Sequence, residues 1–169
     1  FEFCTPSGTK NLRLGGFIDR LDEVSASESS DHSILGERIR VIDYKTGRIP
    51  SSLPKVVESL FDPNELDKHT DYYLQAMLYS YIVKQSKKLN PANESVSPGL
   101  LFIQQSGASD YEPTLKFGKE YISDVSPYKE KFFAGLNHLI SDIFDPNSQF
   151  APTEKKERCE LCPYKTLCK

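Results

Sequence analysis

Val41-Ile42-Asp43-Tyr44-Lys45-Thr46-Gly47 sets an acid and a lysine two residues apart at the end of an apolar, β-branched run. Such a run reads as a strand, and strand side chains alternate between faces. Val41, Asp43 and Lys45 therefore share one side, while Ile42 and Tyr44 take the other. A carboxylate and an ammonium stand together near the end of a buried strand. Carboxylate oxygens are preferred ligands of Mg2+ and Mn2+, and a neighbouring lysine can orient a water or offset charge developing on a phosphate. The plain alternative is a surface ion pair at a strand end, before a Thr-Gly turn.

Upstream, Phe1 to Cys4 and Leu12 to Asp22 read as the arms of a hairpin, with Pro6-Ser7-Gly8-Thr9-Lys10-Asn11 supplying the turn. In the second arm Phe17, Asp19 and Leu21 share a face, opposite Ile18, Arg20 and Asp22. An acid with apolar neighbours on its own face is buried and paired, or bound to a cation. For Asp19, followed by Arg20, the alternative is a strand-end salt bridge. Ser25 to Gly36 is rich in serine and charge and predicts an exposed connection. Arg38 to Lys45 then returns as an antiparallel neighbour, which sets Asp19 beside Asp43.

Downstream, Ile49 to Asp67 contains three prolines and reads as loop with a short helix. Helical period runs from about Lys68 to Lys88, with Leu74, Met77, Leu78, Tyr81 and Ile82 as the apolar stripe and Tyr72, Gln75 and Tyr79 on an adjoining face. Gly99 to Gln104 is a short apolar strand, expected to be central, and Glu112 to Phe117 a further edge strand. A second amphipathic helix is expected over Ser126 to Ile143, with Pro127 at its first position. Its apolar positions are Phe132, Phe133, Leu136, Leu139, Ile140 and Ile143.

At 169 residues, 38% hydrophobic and 27% charged, the composition is that of a single globular domain. No apolar run approaches the roughly 20 residues that span a bilayer. A net charge of −3 leaves no global basic footprint, so any grip on nucleic acid is local. The candidate spots are Lys84, Lys87, Lys88, Lys155, Lys156 and Arg158, each of which also reads as a solvated face. Three of the four cysteines, Cys159, Cys162 and Cys168, crowd the last eleven residues. Without a secretory signal, that crowding favours a metal or cluster site over a disulfide framework. The chain opens on Phe1 and directly on strand, so it is expected to be a piece of a longer protein.

An acid on one strand, an Asp-x-Lys on the next and a Gln-x-x-x-Tyr helix after them form an ordered set. That set resembles the PD-(D/E)XK nuclease superfamily, in its RecB/AddB-like branch. The resemblance rests on Gly16-Phe17-Ile18-Asp19-Arg20-Leu21-Asp22, Ile42-Asp43-Tyr44-Lys45-Thr46-Gly47, Gln75-Ala76-Met77-Leu78-Tyr79 and the closing Cys-x-x-Cys-x5-Cys. It implies that Asp19 and Asp43 bind a catalytic Mg2+ or Mn2+, with the backbone carbonyl of Tyr44 as a further ligand. Lys45 would position the attacking water or stabilise the transition state, and Gln75 and Tyr79 would contact DNA or support the lysine. The resemblance also implies an upstream helix with a histidine or glutamate, which the chain begins too late to contain. His32, His69 and His138 are read as ordinary surface or packing histidines. Cys159, Cys162 and Cys168 match the branch's closing iron–sulfur ligands. Cys4 lies later than the branch's upstream ligand and is read as a buried structural thiol, the fourth ligand being upstream or lost.

The fold expected is α/β, a restriction-endonuclease-like mixed sheet of four or five strands flanked by helices. Residues 1–150 would form the nuclease core and 151–169 its cysteine-bearing tail. The function expected is metal-dependent hydrolysis of DNA, as an exonuclease or end-processing module of a cytoplasmic recombination or repair protein with a helicase partner upstream. Two other classes remain: a catalytically inactive DNA-binding or scaffold domain that keeps the fold, and a small zinc-binding interaction module built on the tail.

Overall fold

The computed structural model describes residues 2–5, 8–25, 38–50, 52–108, 111–149, 153, 156–160 and 162–168, with backbone only at 2–5, 66–67, 157–158 and 167–168. The Ser-rich connection therefore lies outside the described residues apart from Ser25. Lys155 and the side chains of Cys4, Arg158 and Cys168 lie outside them too.

Arg38–Lys45 forms a strand, and Val41 and Ile42 within it are almost wholly buried. In chain order the strands are β1 (Glu2–Thr5), β2 (Gly8–Asn11), β3 (Arg20–Val24), β4 (Arg38–Lys45), β5 (Ser95–Phe102), β6 (Lys116–Phe117) and β7 (Glu120–Tyr121). The main sheet has the order β3-β4-β5. β3 is antiparallel to β4, and β5 is parallel to it. Helix α1 (Thr70–Gln85) makes the crossover between the two parallel strands, and α2 (Lys129–Ile143) follows the β6–β7 hairpin. A mixed sheet with flanking helices is the α/β class the sequence predicts.

Several details differ from the expectation, and one is that the strand expected over Gly99 to Gln104 at the centre of the sheet runs Ser95–Phe102 and stands at its end. The opening hairpin pairs β1 with β2 at Glu2↔Asn11 to Thr5↔Gly8, so Gly8 to Asn11 is strand and not turn. Leu12 to Asp19 is extended chain outside any ladder, leading into β3. The main sheet has three strands with β4 at its centre, and β5 is bordered by the irregular segment through Thr114. There Leu100 N donates to Pro113 O and Leu115 N to Pro98 O, both at 2.9 Å, around a single bridge between Gly99 and Thr114. The edge strand expected over Glu112 to Phe117 is reduced to that bridge and to β6.

The stripe on α1 also differs. Tyr73, Ala76, Met77, Ser80 and Val83 are buried, and so are Tyr79 and Tyr81, whereas Ile82 is exposed. The helix is covered on more than one side because the sheet, α2 and the Leu12–Ile18 stretch all supply apolar neighbours. Along α2 the expectation holds at Phe132, Leu136 and Ile140, while Leu139 and Ile143 face outward. Ser126-Pro127 opens a short 3-10 turn that runs into the helix.

The face of β4 opposite α1 is charged. Arg40 bridges Asp22 at 3.3 Å and Glu112 at 2.8 Å, clamping β3 and the segment beyond β5 onto the central strand. Burial alone would push the Glu112 carboxyl up, but hydrogen bonds from Thr114 and the charges of Arg40 and Arg38 outweigh it and hold the group below its ordinary range. The buried Arg38 guanidinium has no hydrogen-bond partner among the described residues. Burial, reinforced by Arg40, weakens its hold on the proton.

Phe132 is fully buried against Tyr81 at 4.9 Å between ring centroids and edge-on to Phe61 at 5.6 Å. Truncating it removes the ring and leaves a void. Phe132→Ala is expected to lower unfolding free energy by about 3–5 kcal/mol in urea titration, against under about 1 kcal/mol for Ile143→Ala on the same helix. Equal losses would contradict the packing described.

Candidate active site

The β3–β4 register pairs Arg20 with Ile42. One step further along that register brings Asp19, an exposed residue just outside the ladder, opposite Asp43; Phe17 and Leu21, expected as its apolar neighbours, are exposed too. Backbone groups on β4 turn alternately toward β5 and β3. Ile103 N donates to Lys45 O at 3.0 Å, so Lys45 turns its backbone to β5 and Tyr44 turns its own to β3. There Tyr44 N donates to Asp19 Oδ2 at 2.8 Å. The carboxylate takes the place of the next ladder carbonyl, which is why β3 begins only at Arg20. The Tyr44 carbonyl, the third proposed ligand, opens on the same side as Asp19.

Arg20 does not answer Asp19. It pairs with Asp22 at 2.5 Å, and Asp19 enters no ion pair among the described residues. The strand-end salt bridge considered for Asp19 is thus not the arrangement found.

Lys45 is held in three directions. Its Nζ lies 2.6 Å from Asp43 Oδ2, donates to Gln75 Oε1 at 3.1 Å and sits 4.3 Å from the centre of the Tyr72 ring. The two side chains of the ion pair are only 15% and 6% exposed, so the charges are held largely out of water. A cation over an aromatic face gains from the ring quadrupole, and more so when desolvated. The angles at Asp43 Oδ2 fall outside hydrogen-bond geometry. That buried oxygen has a counter-charge but no donor, as suits an atom with coordination capacity to spare.

Gln75 and Tyr79 extend the network. Gln75 Nε2 reaches the Tyr79 hydroxyl at 3.5 Å, and that hydroxyl lies against Gly16 so closely that a Cβ there would collide with it. A side chain at 16 would therefore force the Tyr79 ring to shift. The contacts run from Asp43 through Lys45, Gln75 and Tyr79 to the chain that carries Asp19. Helix α1 thus reaches Asp43 through Lys45 and lies against the chain three residues before Asp19.

Two participants were not assigned from sequence. Tyr72 was placed beside Gln75 and Tyr79 on the helix but given no part, although the i, i+3 spacing to Gln75 was visible. His69, read as ordinary, stacks on Tyr72 at 4.6 Å from a left-handed backbone with φ 52° just before α1. Lys84, a candidate for nucleic-acid contact, instead caps the carbonyls of Glu94 at 2.7 Å and Asn93 at 3.3 Å and faces Asp124. Lys87, Lys88 and Lys156 are exposed.

Among the described residues no three His, Cys, Asp or Glu side chains gather as a cation site. Two carboxylates and a carbonyl are what Asp19, Asp43 and Tyr44 offer. This all-oxygen set fits Mg2+ or Mn2+, since Mg2+ commonly binds through one or two carboxylates and keeps several waters. Cys159 and Cys162 sit at the ends of one turn, with Cys162 N donating to Cys159 O at 3.3 Å, and both are free thiols. No described helix is long and apolar enough to cross a membrane.

The family model described as the PD-(D/E)XK nuclease superfamily matches residues 1–169, the whole chain. No curated protein and no solved structure matches it significantly.

If the Tyr79 hydroxyl and Gly16 fit as described, Gly16→Ala should cost about 1–3 kcal/mol of stability. The cost should shrink by about 1 kcal/mol or more in a Tyr79→Leu background, measured as a double-mutant cycle in urea. Additive losses would show that the two do not touch.

Proposed function

The chain belongs to the PD-(D/E)XK nuclease superfamily, and on that premise we propose that it is a Mg2+- or Mn2+-dependent deoxyribonuclease in which Asp19, Asp43 and Lys45 carry the hydrolysis. Membership supports nuclease activity and a restriction-endonuclease-like fold. The observation that carries the residue assignment is the Lys45 ammonium, gripped by Asp43 and Gln75 above the Tyr72 ring. A scaffold that only kept the fold would have no use for a desolvated lysine on an acid that lacks a hydrogen-bond donor.

Asp19, Asp43 and the Tyr44 carbonyl would hold the ion. When bound, such an ion polarises the scissile phosphate and acidifies a water. The chain's own work is positional. Gln75 takes one of the three ammonium donors of Lys45, and Asp43 faces the group as a counter-charge, which leaves a donor to meet the attacking water or a non-bridging phosphate oxygen. Tyr72 closes the other side of the lysine and limits its motion. Tyr44 N, by holding Asp19 Oδ2, fixes one oxygen of that carboxylate and leaves the other to the ion. Water attacks phosphorus and loses a proton to solvent, the bond to the leaving strand's oxygen breaks, and that oxygen takes up a proton from solvent.

A finer reading is an exonuclease or end-processing domain of a RecB/AddB-like recombination or repair protein, acting in the cytoplasm beside a helicase upstream. It is supported by the order of the motifs and by the closing Cys159, Cys162 and Cys168. The turn at Cys159 and Cys162 has the Cys-x-x-Cys spacing used by zinc and iron–sulfur sites, which supports a structural ion or cluster in the tail.

Lys45→Ala should lower Mn2+-dependent cleavage of a labelled oligonucleotide by about a hundredfold or more, the scale of removing one preorganised electrostatic donor. Its far-ultraviolet circular dichroism should stay native. Cleavage within twofold of wild type would remove Lys45 from the assignment.

A further inference from the structure

His69 stands just before α1 with a left-handed backbone, φ 52° and ψ 46°, and its side chain makes no capping hydrogen bond to the helix. Glycine enters that region freely and residues with a Cβ seldom do, while the position itself usually takes serine, threonine, aspartate or asparagine. An outlier of this kind persists where its surroundings over-determine it. Tyr72 N donates to His69 O at 3.1 Å, which ties that backbone to the first turn. The imidazole is 45% exposed, so burial does not hold it, and its Nδ1 lies 4.0 Å from Asp71 Oδ1, beyond hydrogen-bond reach. Its close contact among the described residues is the Tyr72 ring, on which it stacks at 4.6 Å between centroids and 22° between planes.

The Tyr72 ring needs such a neighbour. It carries the Lys45 ammonium at 4.3 Å, and the attraction of a cation to an aromatic ring depends on the ring presenting its face. Yet the ring borders open space. His69, Tyr72 and Phe102 line a cavity of about 420 Å3, and the next ring, that of Phe102, is 6.5 Å away and tilted by 54°. Packing on that side does not fix the plane of Tyr72. A stacked, nearly parallel imidazole does.

We propose that His69 is a positioning residue for the hydrolysis, acting on Lys45 through the Tyr72 ring; the inference rests on the nuclease reading and adds a residue to it. The imidazole supplies a flat surface and no proton. It holds the plane of Tyr72, and Tyr72 in turn holds the ammonium beside Asp43 and Gln75. The left-handed backbone aims the imidazole at Tyr72 from the residue next to the helix. A ring there is the reason for a histidine where glycine or asparagine would fit the chain more easily.

The test compares His69→Asn, which suits the left-handed backbone but removes the ring, with His69→Phe, which restores a ring without the nitrogens. His69→Asn should unfold at the same or a higher urea concentration than wild type. Its kcat for Mn2+-dependent cleavage should nonetheless fall about tenfold with KM unchanged, less than the roughly hundredfold that a misplacement of about 1 Å can cost. His69→Phe should recover most of that loss. A second readout needs no cleavage: the ε-methylene protons of Lys45, assigned by their loss in Lys45→Ala, should resonate upfield under the ring current of Tyr72. That shift should persist in His69→Phe and relax toward ordinary lysine values in His69→Asn. A His69→Phe variant as slow as His69→Asn would overturn the proposal by assigning the role to the imidazole nitrogens. Loss of stability in step with kcat in His69→Asn would reduce His69 to a structural residue and also overturn it. The nuclease reading is judged separately: no Mn2+-dependent cleavage by wild type would sink that reading and leave the Lys45 resonance to decide the clamp. Cleavage by wild type with a Lys45 resonance unmoved in His69→Asn would keep the nuclease and overturn the clamp.

Discussion

The ammonium of Lys45 is the point on which the rest of the molecule turns. A charge held this far from water survives only with a counter-charge and hydrogen bonds to meet it. Asp43, two residues back on the same strand face, provides the first, and Gln75 and Tyr72 on α1 provide the rest. The helix is bound to the strand by polar contacts in addition to its apolar packing. From Gln75 the contacts pass through Tyr79 to Gly16, and so to the chain that delivers Asp19. The fold's central βαβ unit and the proposed chemical site are one construction.

This coupling explains why α1 is hard to read as an ordinary surface helix. Its residues serve the sheet, α2, the Leu12–Ile18 stretch and the polar network together, so apolar positions occur around much of its circumference. The stripe through Leu74 and Ile82 is a period read on a helix that lacks a single buried side. On α2, which packs through one side, Phe132, Leu136 and Ile140 are both periodic and buried. Periodicity is legible where one face is buried and blurs where several are.

The strand reading shows the same limit. Alternation along β4 placed Asp43 and Lys45 on one face and Ile42 on the other, and the simplest hairpin connection brought β3 alongside in the orientation found. The start of β3 was not legible because Asp19's carboxylate, not a backbone carbonyl, receives Tyr44 N. Pattern alone could not show a side chain finishing a ladder. Gly8 to Asn11 carries turn-forming residues yet is strand, since a hairpin of four pairs tolerates glycine and asparagine at its ends. Gly16 stands three residues before Asp19, and its physical reason, the Tyr79 hydroxyl pressed against it, is a long-range contact that no local pattern encodes.

The acidic balance of the chain, −3 overall, fits a site that meets polyanionic substrate through few groups. On the α1 face Asp43 meets Lys45, and at the end of β3 Asp19 receives Tyr44 N. On the opposite face Arg40 is consumed by Asp22 and Glu112. Cation binding at the two acids is the central claim, because without it the acids would repel a phosphate. The direct measurement is Mn2+ titration by calorimetry of the chain beside its Asp43→Ala variant, with both shown to be folded. Binding by the first that is lost in the second is the result expected. Equal binding by both would contradict the assignment of the ion to Asp19 and Asp43, as would no binding by either.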